Sequence, residues 1–265
     1  MKIQLHILIF FFSVQIFAQI PGYQGKRFFA EIGGSFFFNH SYPTAQNKGP
    51  ASFPFYNHTG HFTLRDRYNL TLFYTVGRKS VLHLGYDYQV SGLNIEHETT
   101  AITANGLDLH QLFYQVHCHD VNIGLNVFNR KKINLAPLGF YWDYTLRILY
   151  NKCILRDQMV KYADGRNDLR PYADQLLPID LNTNIFILGI GVKFGYRYIF
   201  ANRITLNLGL ETTVLPQALI AIPGAPNPIT GNSNSNLDAL EYHTLMTAQL
   251  RYLLNLNIGI GFLIY

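Results

Sequence analysis

The stretch NIFILGIGVKFGYRYIFANRITLNLGLETTVLP, residues 184–216, decides the fold, because residue parity sorts it into two faces. In its first arm Phe186, Leu188, Ile190, Val192, Phe194, Tyr196 and Tyr198 alternate with Ile187, Gly189, Gly191, Lys193, Gly195 and Arg197. A period of two means a strand. In the second arm Ile204, Leu206, Leu208 and Leu210 alternate with Thr205, Asn207, Gly209 and Glu211, and Ala201, Asn202 and Arg203 make the turn. A three-residue turn sets Lys193 opposite Glu211. In a soluble sheet the apolar face would meet a core. Here the pattern recurs along the whole chain with no candidate helix layer to cover it, so the solvent for that face is lipid.

Composition supports the same reading. Charged residues make up only 14% and aromatics 15%, which is too aromatic and too poor in charge for a disordered or coiled-coil chain. The net charge of +5 is small and sits partly in turns, so no nucleic-acid footprint is present. Lys2, the apolar run of residues 7–12 and a small-residue site ending at Ala18 read as a signal peptide over residues 1–18, leaving 19–265 as one barrel domain. Beyond it no run approaches the roughly 18 apolar residues of a spanning helix. A membrane-spanning form must then be a closed barrel.

The pattern predicts eight antiparallel strands of an all-β transmembrane barrel. The first four cover residues 27–38, 62–76, 82–90 and 108–128, and the fifth covers 133–151. The opening hairpin supplies the sixth and seventh, and residues 242–265 form one very long last strand; a helical turn over 237–245 is the less favoured alternative. In strand four the apolar positions change parity, from Leu112, Tyr114 and Val116 to Val121, Ile123, Leu125 and Val127, which predicts a bulge near Cys118 to Asp120. Pro137 predicts another in strand five. Short basic turns (77–80, 129–132, 201–203) alternate with long loops (39–60, 91–106, 153–183, 217–237), with both termini at the short-turn end. Outer-membrane barrels have short periplasmic turns and longer outer loops. Strands four, five and eight exceed the roughly 9 to 11 residues a bilayer needs, so the barrel should project outward.

The segment Ile20-Pro21-Gly22-Tyr23-Gln24-Gly25-Lys26-Arg27-Phe28, shortly after Ala-Gln, resembles the start of small outer-membrane β-barrel proteins of Bacteroidetes-type bacteria. Through the strand pattern the resemblance covers essentially the whole mature chain. It implies an eight-stranded, porin-like barrel in the outer membrane, in contact with outer-membrane lipid and lipopolysaccharide. The terminal aromatic Tyr265 is similar to the signal read by the barrel-assembly machinery, although Ile258, Ile260, Phe262 and Ile264 fall on the opposite parity.

Inward positions offer Arg65, Arg67, Arg147, Lys193, Arg197 and Arg251 against Glu31, Asp87, Asp120, Asp143 and Glu211. An eight-stranded barrel is just wide enough for its own side chains, so these charges should pair as a plug. A polar conduit is the alternative. His117, Cys118, His119 and Asp120 are the most metal-like cluster, but one strand can turn only His117 and His119 to the same face, and zinc sites take three or four protein ligands. No cofactor is implied. Counting back from the 129–132 turn puts Cys118 near Trp142, too far from Cys153 for a disulfide. His40, Ser41, His58, Thr59 and His243 supply no hydrolase motif, and no GxSxG or HExxH occurs.

These features suit a non-enzymatic barrel that is structural or presents its outer loops for binding. The alternatives are a lipid-modifying enzyme of the lipid A deacylase kind and a narrow solute channel. A lipid-facing wall has a direct consequence: Ile190→Arg or Leu208→Arg should destabilise the membrane-embedded form by about 2–4 kcal/mol near the midplane. Urea titration of the refolded chain in vesicles measures this, and unchanged stability of both variants would count against the assignment.

Overall fold

In the computed structural model the described residues are 25–40, 49–51, 62–96, 108–129, 136–161, 167–171, 182–220 and 235–264. Eight long strands form the wall: β1 (Phe28–His40), β2 (Phe62–Thr75), β3 (Ser80–Glu96), β4 (Asp108–Phe128), β5 (Gly139–Lys161), β6 (Thr183–Phe200), β7 (Ile204–Val214) and β8 (Asn255–Leu263). Each pairs antiparallel with its neighbour in sequence, and β1 pairs with β8 to close the ring. The segments Gly49–Ala51 and Asn167–Pro171 add short ribbons to β3 and β5 at the loop end. Among the described residues, the helices α1 (Pro216–Ile220) and α2 (Ser235–Tyr252) lie between β7 and β8. The expected leader and the terminal Tyr265 lie outside the described residues.

Register fixes the barrel's dimensions. Following paired residues from Leu70 through Tyr86, Val121 and Ile148 reaches Leu188 on β6. Going the other way through Ile32, Ile260 and Leu206 reaches Tyr198, so the strands are staggered by ten residues around the ring. With eight strands this stagger tilts each by roughly 40°. The lumen is then one side-chain layer deep, which is why interior groups touch across it.

Parity holds on the outer wall. Ile32, Leu84, Ile123, Leu146, Leu188, Ile190, Leu208 and Ile260 are all exposed, at 41–65%. Contiguous apolar surface on this scale requires another solvent or a partner. No helix among the described residues is long and apolar enough to cross a membrane.

The expected bulge near Cys118 to Asp120 is absent. Pairing of β3 with β4 runs unbroken from Ser80 opposite Val127 to Glu96 opposite Gln111, and the shifts in β4–β5 pairing come higher, at Leu109/Gln111 and Phe113/Tyr114. The change in apolar parity has another cause: the interior itself changes polarity. Below Cys118 the even residues Asp120, Asn122 and Asn126 line the lumen, whereas above it Leu112, Tyr114 and Val116 are buried there in an apolar core. Leu93, Leu149, Leu155, Ile185 and Ile187 belong to the same core.

Other boundaries also shift. Pro137 sits in the turn ahead of β5 and makes no bulge; β5 runs from Gly139 to Lys161 and takes up the start of the expected third loop, as β3 takes up the start of the second. The largest correction falls on the last segment. Residues 242–252 are the end of helix α2, and β8 has only nine residues. Leu240, Thr244, Ala248 and Tyr252 are buried on one helix face, and a spacing of four keeps constant parity, so this face imitates a strand in sequence. The helix packs against β1, β3, β6 and β7. Gln249 fastens it by donating to the Thr213 carbonyl at 3.1 Å and accepting from the Leu215 N–H at 2.7 Å.

The cysteines are closer than the turn count suggests. Phe128 faces Tyr141, so Cys118 lies opposite Asn151 and Cys153 opposite Val116, both pointing inward. Both are free, with Cys118 Sγ 3.9 Å from the Tyr252 hydroxyl and Cys153 Sγ 3.7 Å from Thr244 Oγ1.

The helix is thus part of the core. Leu240→Ala and Leu245→Ala should each destabilise the chain by about 2–5 kcal/mol. Urea unfolding followed by Trp142 fluorescence reads this, together with faster hydrogen exchange at the α2 amides; wild-type values for both would show that the helix is dispensable.

Candidate functional site

The lumen, where nearly all the buried charge gathers, is filled in layers from the turn end upward. At the floor Arg197 is fully buried among aromatic rings, its guanidinium carbon 4.5 Å from the Phe73 centroid, 4.9 Å from Phe29 and 5.1 Å from Tyr141. The rings stand in for hydrogen-bond acceptors, a contact worth about 2 kcal/mol when desolvated. Arg197 Nη2 also approaches Glu31 Oε2 at 3.4 Å. Asn207 donates to Glu31 Oε1 at 2.7 Å and accepts from the Tyr141 hydroxyl at 2.6 Å.

Above this floor lies a small polar cavity bordered by Glu31, Asn69, His83, Asp143, Lys193 and Asn257. Its volume is about 40 Å³, room for a few water molecules. His83 Nε2 is 2.8 Å from Asp143 Oδ1 on its wall.

The next layer is a closed charge cluster. Arg147 of β5 donates through Nη1 to Asp120 of β4 and, at 3.0 Å, to Asp87 of β3, and through Nη2 to Glu211 of β7. Arg67 of β2 adds contacts of 3.4 Å to Asp87 and 3.5 Å to Glu211. Asn257 of β8 donates to Glu211 Oε2 at 3.0 Å. Helix α2 closes the cluster from above: the Tyr252 hydroxyl donates to Asp120 Oδ2 at 2.9 Å, and its ring lies 4.5 Å from the Arg67 guanidinium carbon. Arg251 donates to Ser91 Oγ at 2.5 Å.

The structure therefore gathers Arg67, Asp87, Arg147 and Glu211 in one cluster, with Asp120 as a further member, and Glu31 with Arg197 in another. Asp143 joins His83. Arg251 reaches the lumen from a helix and not, as parity suggested, from a strand. The Arg65 side chain lies outside the described residues. Lys193 and Glu211 are opposite each other as expected, but Glu211 turns to Arg147, Arg67 and Asn257, while Lys193 Nζ lies 6.0 Å from the Tyr141 ring. Sequence reading missed Tyr252, assigned to the outer face; its spacing of four from Ala248 and Thr244 was the available signal.

His117 and His119 face outward, while Cys118 and Asp120 face the lumen, so the four do not converge. Each imidazole instead meets a β3 tyrosine, with His117 Nδ1 2.9 Å from the Tyr88 hydroxyl and His119 Nδ1 2.7 Å from Tyr86. Among the described residues no group of three or more His, Cys, Asp or Glu side chains is placed to hold a metal.

No family model and no curated protein matches this chain. Among solved structures it is similar to the N-terminal β-barrel domain of Pseudomonas aeruginosa OprF, with 8% identity and a TM-score of 0.34 over 89% of this chain and 97% of that one. It is also similar to Neisserial surface protein A (9%, TM-score 0.35, 89% and 97%). A third is Ail, the attachment invasion locus protein of Yersinia pestis, solved with the heparin analogue sucrose octasulfate (9%, TM-score 0.33, 89% and 97%).

Removing one partner of a buried ion cluster strands the others without solvation. Arg147→Met should therefore destabilise the barrel by about 3–5 kcal/mol. Adding Glu211→Gln to that variant should recover part of the loss, and strictly additive losses in a urea-unfolding double-mutant cycle would refute direct coupling.

Proposed function

We propose that this chain is an integral outer-membrane β-barrel, exported under residues 1–18, that is non-enzymatic and acts as a structural element and a platform for its outer loops. The resemblance of residues 20–28 supports placing it with barrels of the Bacteroidetes type. The exposed apolar wall supports insertion, since hydrocarbon is the solvent that removes its cost. The outward Ile258, Ile260, Phe262 and Ile264 give β8 the apolar edge on which assembly by the barrel machinery would act.

The observation that carries the reading is the filled lumen. The Arg197 aromatic floor, the Arg147 cluster and the end of α2 fill the lumen at three levels, and the cavity between them has room for only a few waters. This speaks against the channel alternative. Above the wall's apolar part, the extended ends of β3, β4 and β5 enclose a second, apolar core under α2. A packed core at that end gives the four loops a rigid base, which is what preorganised binding loops need.

Planar-bilayer recordings on the refolded chain should show no conductance steps; reproducible steps of one size would overturn the plugged reading. Mass spectrometry of lipid A from cells with and without the protein should give identical acyl patterns, and a changed acyl number would revive the enzyme.

A further inference from the structure

Among outward-facing residues whose side chains are described, the outer wall carries few acidic or basic groups, and they are gathered in one place. Up to Arg156, among outward-facing residues whose side chains are described, they are His117 and His119 on β4 and Lys152 and Arg156 on β5. Register makes them neighbours: His117 lies opposite Lys152, and His119 lies between Tyr88 and Tyr150. Arg156 Nε donates to Gln115 Oε1 at 2.7 Å, which holds its guanidinium beside His117. The nearest described carboxylate on this face, Asp157, is opposite Phe113, further toward the loops.

The height of the patch is informative. Along β5 the outward row reads Phe140, Trp142, Tyr144, Leu146, Ile148, Tyr150, Lys152: aromatic, apolar, aromatic, then cationic. Ten residues at a tilt of roughly 40° climb about 25 Å, the height of a barrel's apolar band. Tyr150 thus stands at the upper edge of the band, with Tyr86, Tyr88 and Phe186 beside it, and Lys152 and Arg156 rise just above, where lipid headgroups lie. The Tyr88 and Tyr86 hydroxyls are hydrogen-bonded to the two Nδ1 atoms; in the tautomer in which each hydroxyl donates, the imidazole keeps an Nε2–H donor. Two cations and the two imidazoles on one side of the wall, with Asp157 beside Arg156 at the upper edge, make a complement for a phosphate.

We propose that the outer face of β3–β6 binds the phosphorylated headgroup of a lipid in the loop-side leaflet, with Lys152 and Arg156 as charge partners and His117 and His119 as donors. The site rests on the reading of the wall as lipid-facing. The aromatic row below it would receive the acyl chains.

The test uses the full chain refolded into phosphatidylcholine vesicles containing either diphosphoryl or dephosphorylated lipid A, then extracted and weighed by native mass spectrometry. The wild-type chain should retain the diphosphoryl lipid about tenfold better, and Lys152→Glu with Arg156→Glu should lose that preference. Both side chains are exposed, so folding should survive; Lys152→Gln with Arg156→Gln serves if it does not. Equal preference in the variants, or none in the wild type, overturns the site. Binding of inorganic phosphate alone without retention of the lipid overturns the lipid assignment. Failure of the wild-type chain to enter vesicles overturns the lipid-facing reading and the site with it, whereas entry without preference sinks the site alone.

Discussion

The guanidinium of Arg147 is the contact on which the rest of the structure depends. It bridges carboxylates from β3, β4 and β7, and through them Arg67 of β2, Asn257 of β8 and Tyr252 of α2 are drawn to the same point. Six of eight strands and the helix therefore meet at one cluster. Such a cluster contributes less to stability than its Coulomb energy suggests, because every member has given up water. Its value lies in specificity: a register slip of one residue would turn a charge outward into the apolar face and leave its partners stranded. Small residues make room for the arrangement. A side chain at Gly259 would collide with Glu31 Oε1, and one at Gly195 would meet the Tyr141 hydroxyl at 2.7 Å.

The barrel works as two stacked designs. Through the apolar band the wall is greasy outside and polar inside, the inverse of a soluble protein. Toward the loops the interior becomes apolar, with Leu112, Tyr114, Leu149 and Leu155 packed against Leu240 and Leu245. One strand serves both parts by exchanging which of its faces is apolar, without altering its backbone. The shortness of β7 and β8, at eleven and nine residues, lowers one side of the wall, and α2 covers the core there.

Parity alone was enough to read the wall, because its outward side chains are almost uniformly apolar: the outward rows of β2, β3, β5 and β6 and the pairing of Lys193 with Glu211 follow from it. Where the solvent changes, the rule loses its meaning. Above Cys118 an inward apolar residue looks the same in sequence as an outward one, so a polarity inversion reads as a bulge. Helix α2 hid for a related reason, since residues four apart share a face in a helix and share parity in a strand. The choice of partners within the lumen was beyond sequence altogether. Glu211 faces Lys193 on the neighbouring strand, yet a stagger of ten brings Arg147 and Arg67 across a narrow lumen into contact with it.

The same geometry limits where the molecule can interact. Among the described residues, interior cations and carboxylates lie close to one another or to rings, and the cavity left among them is small. A charged group on the outer wall is in the opposite position. In a tilted, apolar cylinder it has few protein neighbours, and burying its stem against hydrocarbon is tolerable only where the head reaches a polar layer. Lys152 and Arg156, both on β5, meet that condition at the top of the aromatic row, and among the outward-facing residues whose side chains are described the other strands carry no such cation. A barrel that needed only to float would gain nothing from concentrating its outward cations on one flank. The asymmetry therefore points to a ligand that approaches from one side within the plane of the leaflet, as a lipid does and a soluble solute does not.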